Sequence, residues 1–386
     1  MKILITTDWY RPVINGVVTS VVNLADGLRR MGHEVRILTL SGSHRTYREG
    51  DVYYIGSVGV GAVYPKARLR AAGGGQLIRE LTDWRPDVVH SQCEFSTFAF
   101  ARRIARTCGC PLVHTYHTVY EDLTCYFSPN ARLGRSLAVW FSRYVLSQTD
   151  AVIVPTDKIR NILGSYGVTR PIYTVPTGID ISSLAAPVSE KRRRQLRSSL
   201  GIGEEDIALT YVGRLAKEKH IDELIGFLAS APGNIKLLLV GDGPARRMLE
   251  EQAAECGLED RVIFAGMVPP VDVAGFYKAG DIFVSASQCE TQGMTYIEAM
   301  ACGLPLLCHR DECLRGVVCR GINGFAYDSK EQFLAFLEVM VSTDLRHRMG
   351  AAAGRLARQR FSEDGFAANA LAVYRSCLHA AAVAAA

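Results

Sequence analysis

Short apolar runs alternate with longer amphipathic segments along this chain. The run Lys2–Thr7 ends at a loop rich in Pro, Asn and Gly, and a second run covers residues 35–40. Uninterrupted apolar runs of this length are typical of buried parallel strands, whereas apolar residues three and four apart are typical of a helix. The segment between the runs has the helical spacing and stops at Gly32, so the pattern predicts one βαβ unit. The positions predicted to be buried on this helix are Val18, Val21, Val22, Ala25 and Leu28.

The same alternation continues through both halves of the chain. Further buried strands are predicted at residues 87–90, 111–115, 151–155, 208–213, 235–241, 262–266 and 282–286. Strands that alternate with helices in each half predict an α/β fold with two Rossmann-like, doubly wound parallel sheets. Ligands of such sheets bind beyond the carboxyl ends of the strands. We therefore expect two domains that face each other across a cleft.

Length and cysteine use narrow the class of protein. A chain of 386 residues exceeds one core of ordinary size, which also favours two domains. It contains no run of eighteen apolar residues, and its first residues lack the features of a signal peptide. Eleven cysteines are scattered without a Cys-x-x-Cys pair, which indicates reduced thiols. The expected location is the cytoplasm.

Charge is distributed unevenly along the chain. Residues 1–180 contain 21 Lys and Arg against 14 Asp and Glu, or +7, and the remainder contains 23 against 25, or −2. A modest basic excess either attracts an anionic membrane surface or only aids solubility. There is no run of five basic residues, so no nucleic-acid partner is expected. The basic segment 189–197 is interpreted as a solvated surface helix, because charge runs usually face solvent.

Two glutamates eight positions apart, Glu290 and Glu298, flank the predicted start of a short helix. The N–H groups and the dipole at a helix start attract an anion, which here fits a diphosphate. Because phosphate repels carboxylates, both glutamates are predicted to accept hydrogen bonds from sugar and ribose hydroxyls. Attraction to the helix dipole alone is the alternative interpretation of Glu298. The residues predicted to line the phosphates are Gln292, Gly293, Met294 and Thr295.

The segment Ser287-Gln-Cys-Glu-Thr-Gln-Gly-Met-Thr-Tyr-Ile-Glu-Ala-Met-Ala301, followed by Gly-Leu-Pro, resembles the donor motif of family 4 retaining glycosyltransferases, which have the two-domain GT-B fold. The other matching motifs are Pro12-Val-Ile-Asn-Gly16, His114-Thr-Tyr-His117-Thr-Val-Tyr-Glu-Asp122, Pro176-Thr-Gly-Ile-Asp180, Val212-Gly-Arg-Leu-Ala-Lys-Glu-Lys219 and Val240-Gly-Asp-Gly-Pro244. The second of these motifs and the donor motif are most similar to those of bacterial 1,2-diacylglycerol 3-alpha-glucosyltransferases.

The resemblance implies a domain plan and several residue roles. It implies an acceptor-side domain at residues 1–183, a donor-binding domain at 184–361 and a C-terminal helix at 362–386 that joins the first domain. Arg214 and Lys219 follow a predicted strand, and the family pattern implies that they clamp the donor phosphates; solvated loop cations are the alternative. The resemblance implies that His117 contacts the transferred hexose and helps to stabilise its developing charge. A buried core histidine bonded to backbone is the alternative, which fits His114 better than His117.

Several glycines are further candidates on the donor side. Gly16 lies in the first strand-to-helix loop, where the lack of a Cβ allows close approach of a phosphate or sugar; a plain turn glycine is the alternative. The resemblance also implies that Gly241 and Gly243 line the nucleotide and that Val268 offers backbone groups to its base.

No metal and no cofactor is expected, since the sugar nucleotide is a substrate and the two cations can neutralise its phosphates. The chain contains no Asp-x-Asp motif. Loose Glu-x-Asp pairs, Glu49 with Asp51 and Glu204 with Asp206, leave a weak metal requirement open.

The acceptor side combines basic and aromatic residues. Arg132, Arg135 and Arg143 alternate with six apolar positions, Leu133, Leu137, Trp140, Phe141, Tyr144 and Val145. Such a helix is more often part of a core than a membrane anchor, but the interleaved arginines also suit a membrane interface. Residues 64–70 form a second basic and aromatic patch. From their proximity to His117, the residues Tyr120, Glu121 and Asp122 are candidates for contact with an acceptor hydroxyl.

The combined prediction is a metal-independent retaining transferase that moves glucose from UDP-glucose to diacylglycerol on the inner face of the cell membrane, where it binds an anionic surface. One alternative is a GDP-mannose enzyme that acts on phosphatidylinositol or another lipid. A second is a protein that binds a sugar nucleotide without turnover. A third is a Rossmann oxidoreductase, for which Gly56-Ser-Val-Gly-Val-Gly61 supplies only a fragment of the dinucleotide motif.

Overall fold

The computed structural model describes residues 1–59, 68–70, 75–121 and 130–385. The chain forms two compact units, Met1–Ile179 with Glu363–Ala386, and Asp180–Ser362. We refer to them as unit 1 and unit 2. The predicted boundary after residue 183 falls inside a short helix, Ile181–Ala185, whose N-terminus is capped by the Asp180 side chain. The structure therefore begins unit 2 at Asp180.

Unit 1 is built on an eight-stranded sheet in the order β10-β9-β8-β7-β1-β2-β4-β3. All neighbouring strands are parallel except β3, which pairs antiparallel with β4 at the edge. A separate antiparallel pair, β5 and β6, follows β4. The strands are β1 (Lys2–Thr7), β2 (Glu34–Leu40), β3 (Tyr47–Glu49), β4 (Val52–Ile55), β5 (Val58–Gly59), β6 (Arg68–Leu69), β7 (Val88–Ser91), β8 (Leu112–Thr115), β9 (Ala151–Val154) and β10 (Ile172–Thr174). The predicted parallel sheet is thus confirmed for this unit, and its antiparallel edge was not predicted.

Helices pack against the unit 1 sheet between its strands. The helix predicted before Gly32 is confirmed, but Val22 is only half-buried and Leu24 occupies the core in its place. Asn15 caps the start of this helix by accepting a hydrogen bond from the Val18 N–H. The helices in this part of the chain are α1 (Gly16–Arg30), α2 (Gly75–Asp83), α3 (Ser96–Cys108), α4 (Ala131–Leu146) and α5 (Asp157–Ser165).

Unit 2 contains a six-stranded parallel sheet in the order β13-β12-β11-β14-β15-β16. Its strands are β11 (Ile207–Val212), β12 (Ile235–Val240), β13 (Val262–Gly266), β14 (Ile282–Ser285), β15 (Leu306–His309) and β16 (Gly324–Tyr327). Its helices are α6 (Ile181–Ala185), α7 (Glu190–Ser199), α8 (Ile221–Leu228), α9 (Arg246–Glu255), α10 (Val273–Ala279), α11 (Met294–Ala301), α12 (Lys330–Met340) and α13 (Thr343–Arg360). The predicted doubly wound parallel sheet is thus confirmed, while its strands β15 and β16 were not predicted.

The last helix, α14 (Glu363–Ala385), returns to unit 1. It packs against α1 so closely that a Cβ on Gly27 would lie 2.8 Å from the Cβ of Ala367. Arg30 on α1 also pairs with Glu363 at 2.6 Å and with Asp364 at 2.9 Å. Glycine is required at residue 27 because the two helix backbones approach each other there.

Helix α7 differs from the predicted solvated surface helix. Arg197 is buried, and its guanidinium donates to Asp281 Oδ2 and to the carbonyl oxygens of Ala279, Gly203 and Asp206 at 2.6–2.9 Å. Arg193 contacts the other Asp281 oxygen at 2.9 Å. The charge run is therefore solvated on one face, while its other face anchors the helix to the sheet.

We expect Arg197→Met to lower the free energy of unfolding of unit 2 by roughly 3 kcal/mol, because removal of one partner leaves a carboxylate and carbonyl oxygens buried without their donor. Arg193 still contacts Asp281, which keeps the loss at the lower end of the range for broken buried ion pairs. The matched control is Arg194→Met on the same helix, whose arginine is exposed and lies 3.7 Å from Glu204. Urea denaturation should show a loss for Arg197→Met alone; equal midpoints for the two variants would contradict the anchoring role.

Candidate functional site

The strand order of unit 2 places two loops beside each other. The chain enters the sheet at β11, moves outward to β12 and β13, and then crosses to β14 on the other side of β11. A crevice forms at such a switch point, beyond the carboxyl ends of the two central strands. Lys219 follows β11, and Glu290 follows β14. The topology therefore brings these two predicted site residues together.

Lys219 and Glu290 form an ion pair in the structure. Lys219 Nζ donates to Glu290 Oε1 at 2.6 Å, and Ser287 Oγ donates to the same oxygen at 2.9 Å. Burial pushes the pKa of Lys219 down, but the Glu290 carboxylate, with smaller contributions from Cys289 and Glu218, outweighs burial, so this pKa is raised. The lysine is therefore charged at neutral pH, as a phosphate ligand must be.

Arg214, the second predicted phosphate ligand, is also paired. Its guanidinium donates to Glu218, four residues later in the same loop, and its side chain is 43% exposed. The prediction assigned both cations directly to phosphate. In the structure each cation has a carboxylate partner, so a diphosphate bound by them would have to share or replace those partners.

Helix α11 begins at the predicted position. Its N-cap, Gly293, has a φ of 73°, and a Cβ there would lie 2.1 Å from the Tyr296 ring. Only glycine fits this combination of left-handed backbone and close contact. Met294 and Thr295 occupy the first turn, where backbone N–H groups lack partners within the helix, and Gln292 is buried just before it.

Glu298 lies in the interior of α11, beyond its first turn. Its Oε2 accepts a hydrogen bond from the Tyr277 hydroxyl at 2.8 Å. Burial raises the pKa of Glu298, and the Tyr277 hydrogen bond opposes that rise. Because a carboxylate beyond the first turn gains little from the helix dipole, the dipole does not explain this residue.

The remaining donor-side candidates also lie beyond the carboxyl ends of the unit 2 strands. A Cβ on Gly241 would lie 2.0 Å from the Gly213 carbonyl oxygen, and one on Gly243 would lie 2.3 Å from the carbonyl oxygen of Leu215. These glycines therefore allow the loops after β11 and β12 to pack against each other. Val268 follows β13. This strand lies two positions from β11 in the sheet, which corresponds to about 10 Å between the two strands.

Unit 1 has an equivalent switch point between β1 and β7. Gly16 is the first residue of α1, and no atom of the described residues would lie within 4 Å of a Cβ on it. Packing within unit 1 therefore does not require glycine at this position. His117 follows β8, and its Nε2 lies 2.7 Å from Gln92 Oε1. Burial lowers the pKa of His117 to about 4, although Glu94 pulls this pKa upward, so its ring is neutral at physiological pH.

One of the acceptor candidates next to His117, Tyr120, contacts a buried polar cluster around Glu94. Tyr120 donates to Glu94 Oε2 at 2.7 Å, and His114 Nε2 lies 3.3 Å from Glu94 Oε1. The alternative of a buried core histidine bonded to backbone fitted His114 better than His117; His114 is buried, but the contact of its Nε2 is with this carboxylate. Glu121 accepts a hydrogen bond from Arg135 at 3.1 Å. Asp122 lies outside the described residues.

Sequence reasoning missed three residues at this edge, Asp8, Gln92 and Glu94. Asp8 accepts a hydrogen bond from the Thr97 N–H, and burial raises the pKa of its carboxyl to about 6. A signal for the other two was present in the chain. The tetrapeptide Ser-Gln-Cys-Glu occurs at 91–94, starting at the last residue of β7, and again at 287–290, just after β14. In each sheet, the repeat lies at the carboxyl end of the strand to which the chain crosses at the switch point.

Helix α4 exposes four of the six apolar positions that were predicted in its stripe. A stripe of this kind more often belongs to a core. Leu133, Leu137, Trp140 and Tyr144 are 50–63% exposed. The other two predicted positions are not exposed: Val145 is buried together with Ala138, and Phe141 is half-buried. Arg132, Arg135 and Arg143 are exposed beside the stripe. In the second predicted basic patch, residues 64–67 lie outside the described residues, and Arg68 donates to Ser57 at 2.7 and 2.8 Å.

Two further expectations concern metals and membranes. In the described ranges, no three His, Cys, Asp or Glu side chains are grouped as metal ligands. Metal independence stays a prediction. Over the same residues, none of the helices has the length and apolar character required to span a membrane.

Comparison with known proteins agrees with this geometry. The profile of Glycosyltransferase Family 4 matches residues 14–183, and that of Glycosyl transferases group 1 matches residues 192–355. The Anabaena protein HepE, solved with UDP and glucose, superimposes with a TM-score of 0.76 at 19% identity, over 97% of this chain and 100% of that one. This likeness shows a shared GT-B fold. Fold and family profiles together define a nucleotide-sugar-dependent hexosyltransferase.

Two relatives are similar over most of their length. The alpha-monoglucosyldiacylglycerol synthase of Streptococcus pneumoniae is 33% identical over 89% of this chain and 79% of its own. The enzyme of the same name from Acholeplasma laidlawii is 32% identical over 87% of each chain. The chain therefore belongs to Glycosyltransferase Family 4.

Proposed function

We propose that this protein is a retaining glucosyltransferase that transfers glucose from UDP-glucose to diacylglycerol at the cytoplasmic surface of the membrane. The names of the two synthases support the sugar and the acceptor, because each describes an alpha-linked glucosyl diacylglycerol. Since UDP-glucose is itself alpha-linked, an alpha-linked product means retention at the anomeric carbon.

The proposed chemistry follows an internal-return route. The bond from the anomeric carbon to the diphosphate breaks, the acceptor oxygen bonds to the same face of that carbon, and the leaving phosphate oxygen takes the acceptor proton. Arg214, Lys219 and the start of α11 would stabilise the leaving diphosphate, which is electrostatic catalysis by preorganised donors. Glu290 would hold hexose hydroxyls and so orient the anomeric carbon. His117 would contact the transferred hexose and help to stabilise its developing charge, as the family resemblance implies.

The exposed stripe of α4 is the structural observation that best supports a lipid acceptor. Four large apolar side chains on one face of a helix are unusual in solvent, and three arginines accompany them. Such a helix lies in the headgroup region, with its apolar face in the acyl boundary and its cations near anionic lipid. The hydroxyl of diacylglycerol lies at that depth.

Incubation of the purified protein with mixed donors and vesicles tests the proposal. Vesicles of phosphatidylglycerol and diacylglycerol, supplied with UDP-glucose and GDP-mannose, should yield glucosyl diacylglycerol by mass and release UDP. A mannosylated lipid as the product would support the GDP-mannose alternative instead. Donor binding without release of a nucleoside diphosphate would support the non-catalytic alternative.

We expect the double variant Leu137→Ser, Trp140→Ser to bind these vesicles about tenfold more weakly or worse, since each side chain loses roughly 1 kcal/mol or more of apolar burial. Co-sedimentation measures the binding. The matched control is Val339→Ser, an apolar residue of α12 that is 49% exposed. Unchanged binding of the double variant would remove α4 as the membrane contact.

A further inference from the structure

Gln92 connects the candidate residue His117 to the interior of unit 1. The Gln92 side chain is 1% exposed, and its Oε1 lies 2.7 Å from His117 Nε2. An amide oxygen can only accept a hydrogen bond, so His117 Nε2 carries the proton and donates it. The amide nitrogen of Gln92 lies 3.1 Å from Nε2 and 3.3 Å from Nδ1 of His90.

His90 is itself fixed on both sides. Its Nδ1 lies 2.6 Å from the Tyr374 hydroxyl on α14, and its Nε2 lies 2.7 Å from Thr115 Oγ1 on β8. Burial lowers the pKa of His90 well below its usual value, so this ring is neutral. The Gln92 amide therefore rests against a ring that is held by two hydrogen bonds and carries no charge.

The hydrogen bond that Gln92 accepts determines the tautomer of His117. When a neutral imidazole carries its proton on Nε2, its Nδ1 has a free lone pair. That nitrogen can accept a hydrogen bond from an alcohol. A neutral ring also avoids repulsion of a hexose that becomes positive as its bond to the leaving group breaks, whereas an imidazolium would oppose that charge.

We propose that Gln92 is a positioning residue, which holds His117 in the Nε2–H tautomer so that Nδ1 accepts a hydrogen bond from a hydroxyl of the transferred hexose. This inference rests on the proposed function. Gln92 touches no reacting atom, and it acts through His117.

The test replaces Gln92 with glutamate, which has nearly the same shape and adds a charge. A carboxylate at Nε2 favours the imidazolium and raises the pKa of His117. The neutral ring is then lost as the pH falls through the raised pKa and is recovered at higher pH. The other titratable groups that influence His117 are Glu94 after β7, His114 on β8 and His90 on β7.

We expect Gln92→Glu to show a kcat about tenfold below that of the wild type near pH 6.5, with recovery toward pH 8.5, whereas the wild type stays flat over this range. Gln92→Leu removes the restraint without adding charge, so its kcat should be lower at every pH with no new pH dependence. Gln359→Glu on the exposed surface of α13 is the charge-matched control. A flat profile for Gln92→Glu, or equal profiles for both Gln92 variants, would overturn the proposal.

A spectroscopic measurement separates this proposal from the proposed function. In ¹⁵N-histidine spectra, assigned with a His117→Asn variant, the wild-type signal of His117 should show a protonated Nε2 and no titration above about pH 5, and Gln92→Glu should raise its midpoint. A Nδ1–H tautomer in the wild type would overturn the positioning role, whatever the enzyme transfers. A wild type with the expected spectrum that transfers no sugar would instead refute the proposed function.

Discussion

Replacing Arg214 with alanine should lower the rate of sugar transfer about a hundredfold or more. Negative charge on the leaving diphosphate is greatest in the transition state, and loss of one preorganised donor to such a charge typically costs this much. The effect should fall on kcat more than on KM, because the interaction strengthens as the bond breaks. Steady-state kinetics with UDP-glucose and vesicle-bound diacylglycerol measure it.

The structure supplies a close control for this experiment. Arg214 pairs with Glu218 four residues later, and Arg247 pairs in the same manner with Glu251 on the exposed surface of α9. Surface pairs of this kind contribute about 0–1 kcal/mol to stability, so neither alanine variant should unfold the protein. Only Arg214→Ala should lose activity.

Arg214→Lys separates charge from geometry. Lysine keeps the positive charge but loses the planar fork that bonds two phosphate oxygens at once. We expect an activity between those of the wild type and the alanine variant. Near-normal turnover by Arg214→Ala would contradict the assigned role.

Glu290→Gln should reduce transfer by roughly a hundredfold while nucleotide affinity changes little. The amide keeps the size of the side chain but accepts hydrogen bonds from hexose hydroxyls less strongly than a carboxylate does, which disturbs the orientation of the anomeric carbon. The Lys219–Glu290 pair sharpens this expectation. Loss of the negative charge weakens the 2.6 Å contact of Lys219 Nζ with this side chain, so the lysine remains available to the diphosphate.

Glu298→Ala should instead change mainly the affinity for the nucleotide. It should weaken UDP binding by about tenfold to a hundredfold, as expected for loss of a charged hydrogen bond to the ribose diol. Tyr277→Phe is the matched control, because it removes the Tyr277–Glu298 hydrogen bond and keeps the carboxylate. Calorimetry with UDP and single-turnover kinetics distinguish the two glutamates. A larger loss of UDP affinity in Glu290→Gln than in Glu298→Ala would require their roles to be exchanged.

Much of the fold could be read from the sequence because each buried parallel strand is a short, uninterrupted apolar run. Lys2–Thr7 has the predicted bounds, and the four strands predicted in unit 2 are all present. The residues after β11 and β14 could be placed on the same side of the sheet, beyond the carboxyl ends of the strands, because all strands of that sheet are parallel. The antiparallel β3 escaped prediction because a three-residue exposed strand has no apolar signal.

The pairing of charges could not be predicted. Arg197 and Arg194 belong to the same basic run, but of these two only Arg197 faces the sheet. Its guanidinium donates a hydrogen bond to Asp281, which is 84 residues away in the chain. On α4, the apolar positions have helical spacing that fits a buried or an exposed stripe equally well. In the structure, Val145 packs on the buried side together with Ala138. Leu133, Leu137, Trp140 and Tyr144 are exposed.

The sequence by itself determined the family, the two doubly wound sheets and the loops that carry the candidate chemistry, because these depend on local periodicity and on motif spacing along the chain. The tertiary structure alone decided that Lys219 meets Glu290, that Glu94 meets His114 and Tyr120, and that Gln92 meets His117. Each of these contacts joins residues at the carboxyl ends of different strands, and the distances depend on how those strand ends pack rather than on any pattern within one segment.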